Sequence, residues 1–265
     1  MTGDLGDVSY LARSENRIEV LDALTTGPQD RHALETVTGA SRVTVGRILA
    51  EFDRRGWAVP ADDQFEITAV GRAVATDVAR LRETLAAADV LEPMARSLSP
   101  EFLSVDVRRF ADAELIRADE RNPLAVARIA PDVMASAQGV RILAAAVTGD
   151  TIDAQIRAAR ENEQVSEVVM TTGTIEAIHA DGHLSERVRT SLSLEGVSLF
   201  ETDEDVPVSL GIYDDETVFV GLIDDDGMPT ATLISENEAV LSWANETFER
   251  FREHARPIRR DEFAK

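Results

Sequence analysis

The chain has 265 residues, a length that fits two domains, and it carries 49 acidic against 27 basic residues for a formal net charge of −22. It has no cysteine, which excludes disulfides and thiolate zinc sites, and its only lysine is Lys265, so every other basic residue is arginine. No stretch resembles a signal peptide or a membrane span of about 20 apolar residues, so the expected setting is the cytoplasm, with no membrane partner. Self-repulsion at this charge weakens a compact state unless salt screens it. At molar salt the Debye length falls to about 3 Å, and the composition therefore predicts the cytoplasm of a halophilic archaeon.

In chain order, Ser14 can cap a helix whose Ile18, Leu21 and Leu24 face a core, and Gly27-Pro28 ends it. Asp30 can cap a second, short helix anchored by Leu34 and Val37. Gly39 then sits where the tight turn of a helix-turn-helix needs a residue tolerant of positive φ. Between Ser41, a natural N-cap, and Gly56, a natural stop, the apolar residues Val45, Ile48, Leu49 and Phe52 recur at helical spacing. The other face carries Arg42, Thr44 and Arg47 near its N-terminal end, where a recognition helix in the major groove presents its base-reading side chains. Trp57-Ala58-Val59 and Phe65-Glu66-Ile67 alternate as strands around the turn-forming Pro60-Ala61-Asp62-Asp63, which makes a hairpin of wing type. Ser41, Arg42, Thr44, Arg47, Arg54 and Gln64 are the candidate contacts to double-stranded DNA.

Residues 8–75 resemble the winged helix-turn-helix domains of archaeal and bacterial transcription regulators. The residues that carry the likeness are the run Ser41-Arg42-Val43-Thr44-Val45-Gly46-Arg47-Ile48-Leu49, the Arg55-Gly56-Trp57 that leads into the wing, and Ile67-Thr68-Ala69-Val70-Gly71 at its exit. Glu51 and Asp53 depart from the pattern by lying among the arginines. A DNA-binding domain is expected over 1–75 and a linker or dimerisation helix over 76–100. That helix starts near Ala69, places Val70, Val74, Val78, Leu81, Leu85 and Ala88 on one stripe, and is interrupted by Pro93 and Ser97-Leu98-Ser99-Pro100. A stripe of this kind packs on its own domain or pairs with a second copy; a homodimer is expected, because two recognition helices then read two half-sites.

From about Val140 the pattern becomes α/β. Strands are expected at 140–147 and 165–170, separated by a helix that Asp150 or Thr151 starts, and a further helix at 184–194 leads to a strand at 196–200. These connections imply parallel pairing. Strands at 208–213, 217–223 and 230–234 are joined by Asp214-Asp215-Glu216 and Asp224-Asp225-Asp226-Gly227, turns short enough to make them antiparallel. A last helix from about Glu236 to Ala255 sets Val240, Trp243, Phe248 and Phe251 against the sheet. The fold class is α+β: a winged helix-turn-helix, a helical linker, a mixed α/β sensor domain over 101–258 and a tail at 259–265.

The second half resembles the effector domain of haloarchaeal and methanogen regulators related to the methanogenesis regulatory protein. The likeness rests on Phe110-Ala111-Asp112-Ala113-Glu114-Leu115-Ile116, Asn122-Pro123-Leu124, Val208-Ser209-Leu210-Gly211-Ile212-Tyr213-Asp214-Asp215, and Leu233-Ile234-Ser235-Glu236-Asn237 with Trp243-Ala244 and Phe248-Glu249. It is also distantly similar to the phospholipase-D-like sheet of archaeal sugar-sensing regulators. The enzymes of that group need a His-x-Lys pair, and here His179 and His183 have no lysine beside them.

Those histidines have the i, i+4 spacing of a metal pair, but Asp181-Gly182 between them suggests a turn. Asp224-Asp225-Asp226-Gly227 lacks the regular ligands and distal glutamate of a calcium loop. With no nucleophile elbow, P-loop or dinucleotide fingerprint, neither an enzyme nor a cofactor is expected. A small-molecule effector is expected beyond the carboxyl ends of the parallel strands, at Thr171, Thr172 and Thr174 around Gly173. The alternative there is plain capping of the next helix. Arg141, Ser209, Tyr213, Ser235 and Asn237 could line the same space. The function expected is a sequence-specific transcription regulator that senses a metabolite. The alternative is a dimerising protein-interaction module that works with another regulator and binds no metabolite.

Overall fold

A computed structural model describes residues 3–98, 103–118, 122, 125–223 and 229–263. The chain divides into two compact units, Met1–Glu83 and Thr84–Lys265. The expected turn at 224–227 and the Pro123-Leu124 and Ser99-Pro100 pairs lie outside the described residues.

Unit 1 runs α1 (Gly3–Ala12), α2 (Glu15–Thr25), α3 (Arg31–Thr38), α4 (Arg42–Arg54), β1 (Ala58–Ala61), β2 (Gln64–Ile67) and the start of α5 (Ala69–Leu91). Helix–turn–helix, hairpin and following helix appear in the expected order. Asp30 caps α3 by accepting from the Ala33 amide at 2.8 Å, and Gly39 ends it at φ +65°. Helix α4 buries all four residues of its apolar stripe, Val45, Ile48, Leu49 and Phe52, among Leu21, Leu24 and Leu34. The expectation fails for Val37, which is 65% exposed, because α3 has only eight residues and turns only Leu34 fully into the core. Helix α1 was not expected. It brings Tyr10 against Phe52 and Trp57, with ring centroids 6.4 and 6.3 Å apart.

The hairpin is longer than its alternation suggests. Strand β1 continues through Pro60 and Ala61, and the turn shrinks to Asp62-Asp63. Proline is tolerated because its partner Phe65 directs its own N–H and C=O to Gln29, at 2.8 and 3.0 Å, so no ladder donor is required opposite Pro60. At the hairpin's exit, Thr68 caps α5 by accepting from the Gly71 amide at 3.0 Å. A Cβ on Gly71 would fall 1.9 Å from the Trp57 carbonyl oxygen, so only glycine lets the helix start this close to the strand.

The expected stripe on α5 is split. Val74 and Val78 pack on the unit 1 core and Ala75 is buried, whereas Val70, Leu81 and Leu85 are more than half exposed.

Unit 2 is built on one sheet. Its elements are β3 (Glu114–Arg117), α6 (Ala125–Ser136), β4 (Gly139–Ala144), α7 (Gly149–Glu161), β5 (Val165–Thr171), α8 (Thr172–Ala180), α9 (Gly182–Ser191), β6 (Val197–Thr202), β7 (Ser209–Tyr213), β8 (Thr217–Ile223), β9 (Pro229–Ser235), α10 (Glu238–His254) and β10 (Arg256–Pro257). The strand order is β10-β6-β5-β4-β7-β8-β9-β3; β4, β5 and β6 are mutually parallel and the other pairings are antiparallel. Alternation along each strand sends two sets of side chains to two faces. Leu143, Val169, Leu210, Val220 and Leu233 meet Val240, Trp243, Phe248 and Phe251 of α10. On the other face Ile142, Val168, Met170 and Leu199 pack with residues of α7, α8 and α9, while Val140, Tyr213 and Phe219 pack with α6 and α7. The result is a mixed α+β molecule with N-terminal helices and a large C-terminal sheet.

Candidate nucleic-acid interface and cavity

Ser41 caps α4 through its hydroxyl, which accepts from the Thr44 amide at 3.3 Å and meets the Thr44 hydroxyl at 3.0 Å. Both polar groups therefore serve the helix start. Arg42, Val43, Arg47 and Ala50 lie exposed along one side of the helix, Val43 at 82%, and a Cβ at Gly46 would meet nothing within 4 Å. Neither Arg42 nor Arg47 makes a hydrogen bond or ion pair among the described residues.

Arg54 is placed differently from expectation. It reaches Glu51 at 2.7 Å, and Arg55 also bonds Glu51 while donating to Asp7 at 3.0 Å. These guanidinium bonds, Arg54 first and Arg55 second, hold the Glu51 carboxyl down at about 2, well below the usual carboxylate range. The acid that seemed to intrude among the arginines is thus matched at the C-terminal end of α4, leaving the N-terminal half free of acid. Arg55 also lies over the Tyr10 ring, opposed by Arg17, each at 4.0 Å from the centroid. Gln64 stands beside the hairpin turn with Asp62 and Asp63, so the wing tip carries no basic residue. Arg31, at the start of α3 and exposed, lies 5.6 Å from the Phe65 ring centroid; sequence reasoning passed it over because it interrupts no periodic pattern.

Charge is unevenly shared. Residues 1–83 hold 10 arginines and 14 acidic residues, a net of −4, whereas 84–265 hold 17 basic and 35 acidic residues, a net of −18.

In unit 2 the expected effector residues do not gather. Thr171 caps α8, accepting from the Thr174 amide at 3.1 Å; Thr174 donates to the Ala145 carbonyl at 2.8 Å and Thr172 to the Thr202 carbonyl at 3.4 Å. Their hydroxyls are committed to backbone. Arg141 pairs with Asp215 and lies 3.8 Å from Glu249 of α10, on the opposite face of the sheet from the cavity described next. Ser235 accepts from the Asn237 amide at 3.2 Å, and Asn237 in turn caps α10. His179 stacks on Phe263 with centroids 4.4 Å apart, and His183 opens α9, whose cap is Asp181. No group of three or more potential metal ligands forms among the described residues.

Ser209 and Tyr213 do come together, along one side of β7, at a cavity of about 150 Å³ between the sheet and helices α6, α7 and α9. Small residues create the space: Gly211 and Gly221 on the strands, and Ala127 and Ala130 on α6. A Cβ on Gly211 would sit 2.8 Å from Tyr213 Cε2 and 3.2 Å from its hydroxyl, so the glycine is what lets the ring lie along the strand. Burial pushes the Tyr213 phenol well above its ordinary value, keeping it protonated as a donor.

With this geometry in place, residues 5–90 match the family model of the HVO_A0261 N-terminal domain. Residues 123–254 match that of the methanogenesis regulatory protein FilR1, middle domain. Each unit thus matches a domain family of its own. No curated protein matches the chain at a significant level. Among solved structures, TrmBL2, described as an archaeal chromatin protein with a novel mode of DNA binding, is 17% identical over 92% of this chain and 94% of its own, with a TM-score of 0.38. NucT from Helicobacter pylori is 12% identical over 56% of this chain and 99% of its own, with a TM-score of 0.45. Nuc from Salmonella typhimurium, a phospholipase D family member, is 16% identical over 56% of this chain and 98% of its own, with a TM-score of 0.41. Among the described residues, no helix is long and apolar enough to cross a membrane.

Proposed function

We propose that this chain is a sequence-specific DNA-binding transcription regulator of the winged helix-turn-helix class, working in the cytoplasm of a halophilic archaeon. The observation that carries the reading is the exposed, acid-free N-terminal half of α4, where Arg42 and Arg47 make no hydrogen bond or ion pair among the described residues. That is the part of a recognition helix that reaches base edges in the major groove. The match of unit 2 to a regulatory protein's middle domain supports it. The cavity supports a metabolite-sensing role for unit 2, and the exposed Val70, Leu81 and Leu85 of α5 support a homodimer that reads two half-sites. A ligand then acts by preferring one arrangement of the dimer over another. No catalytic role is proposed.

The test is to map the genomic sites the protein occupies and to titrate one such duplex with wild type and an Arg42→Ala/Arg47→Ala variant in molar potassium chloride. Saturable, sequence-dependent binding that the variant loses supports the reading. Equal binding by the two proteins overturns it. One observation favours a second reading, a module that contacts another regulator: the acidic wing tip of Asp62 and Asp63 cannot neutralise phosphates. Under that reading no duplex binds.

A further inference from the structure

The cavity of unit 2 is unusual in what its wall lacks. Among the described residues, none that lines it is charged. Most of its polar groups are already paired: Gln155 bridges Ser166 and Ser191 at 2.9 Å each, the Ser209 hydroxyl accepts from the Ala145 amide at 3.2 Å, and Thr148 meets Thr151 at 2.9 Å. Two hydroxyls remain. Tyr213 and Thr232 are 5% and 8% exposed, both line the cavity, and neither has a hydrogen-bond partner among the described residues. Both residues are buried, yet their hydroxyls keep some accessible surface in the cavity wall, where a guest can supply the missing partner. The volume of about 150 Å³ equals that of an engineered apolar cavity that takes up a benzene-sized molecule.

We propose that this cavity binds a small, uncharged, mostly apolar molecule bearing one carbonyl or hydroxyl oxygen, which accepts the hydrogen bond of Tyr213. This deepens the effector reading of unit 2 and rests on it. An anionic ligand is disfavoured because its charge would meet no opposite charge among the described residues of the wall. A polyol is disfavoured because each of its hydroxyls needs a partner, and the described residues offer only two. The chemistry left is that of a short ketone, ester, phenol or alcohol on an apolar body.

The experiment uses the full chain without DNA, in molar potassium chloride, titrated calorimetrically with acetophenone, with ethylbenzene, which has the same body without the oxygen, and with benzoate, which replaces the ketone by a charge. Acetophenone is expected to bind more tightly than ethylbenzene, and benzoate at least about tenfold more weakly than acetophenone. Tyr213→Phe keeps the ring beside Gly211 and removes a hydroxyl that bonds nothing in the described chain, so it should fold as wild type. It is expected to weaken acetophenone by about three- to tenfold and to leave ethylbenzene unchanged. Ala130→Leu, which fills the space from α6, should weaken both. The proposal is overturned if no probe binds wild type, if benzoate binds as well as acetophenone, or if Tyr213→Phe leaves acetophenone affinity where it was. DNA binding is measured on the same preparations. A chain that takes acetophenone but no duplex overturns the regulator and leaves the cavity assignment standing, and a chain that binds duplex but no probe does the reverse.

Discussion

Arg47 and Arg54 are seven residues apart on one helix, yet their surroundings differ. Arg47 makes no hydrogen bond or ion pair among the described residues, while Arg54 is held 2.7 Å from Glu51. Replacing Arg47 with Ala should cost about 1–3 kcal/mol of operator affinity if it reads a guanine, with folding intact, whereas Arg54→Ala should change affinity little. Anisotropy titrations in matched high salt distinguish the two. Glu51 also gives a pH prediction. Its carboxyl is held at about 2 in the folded chain, below its value when unfolded, so its contribution is complete above the unfolded value and fades as pH falls through the window down to about 2. An NMR titration should find the Glu51 carboxyl still ionised at pH 3.5, and Glu51→Gln should lose that part of the acid dependence. At the exit from the hairpin, Gly71→Ala sets two effects against each other. Helix propensity alone favours alanine by about 1 kcal/mol. The 1.9 Å overlap with the Trp57 carbonyl outweighs it, so thermal melting should show a less stable protein.

At the scale of elements, the caps decide what the Thr171–Thr174 segment does. Thr171→Val removes the hydroxyl that accepts from the Thr174 amide and should cost about 0.5–2 kcal/mol of stability, read from the melting midpoint, without altering uptake of acetophenone. Strong local signals were what made elements legible in the sequence. Helix α4 showed itself through four apolar residues at helical spacing, and β7, β8 and β9 through short turns that dictate antiparallel pairing. Helix α6 gave no such signal because Pro131 lies inside it and alanines soften its contrast. The pairing of β4 with β7 joins strands about 70 residues apart and follows from no local pattern. The candidate site was half legible. Ser209 and Tyr213 fall on one side of a strand by simple alternation, but the threonines offered two readings that only their partners could separate. The usable signal was Gly211 and Gly221, glycines inside strands, which mark places where side chains leave room.

For the whole molecule, the charge imbalance predicts salt dependence. With −22 overall and −18 of it on residues 84–265, withdrawing potassium chloride from molar to millimolar should weaken unit 2 first, seen by circular dichroism as partial loss of helix and sheet before unit 1 melts. A melting profile that stays level across that range would contradict the halophilic assignment. Arginine contacts to phosphate weaken as salt rises, because fewer counterions are released to advantage. The cavity behaves otherwise. With no charge among the described residues of its wall, it offers an electrolyte no site charge to screen, and a neutral guest enters by partition between water and an apolar chamber. Salt is thus a condition for the chamber, because unit 2 must stay folded to hold it, and once that condition is met the guest concentration sets how full the chamber is.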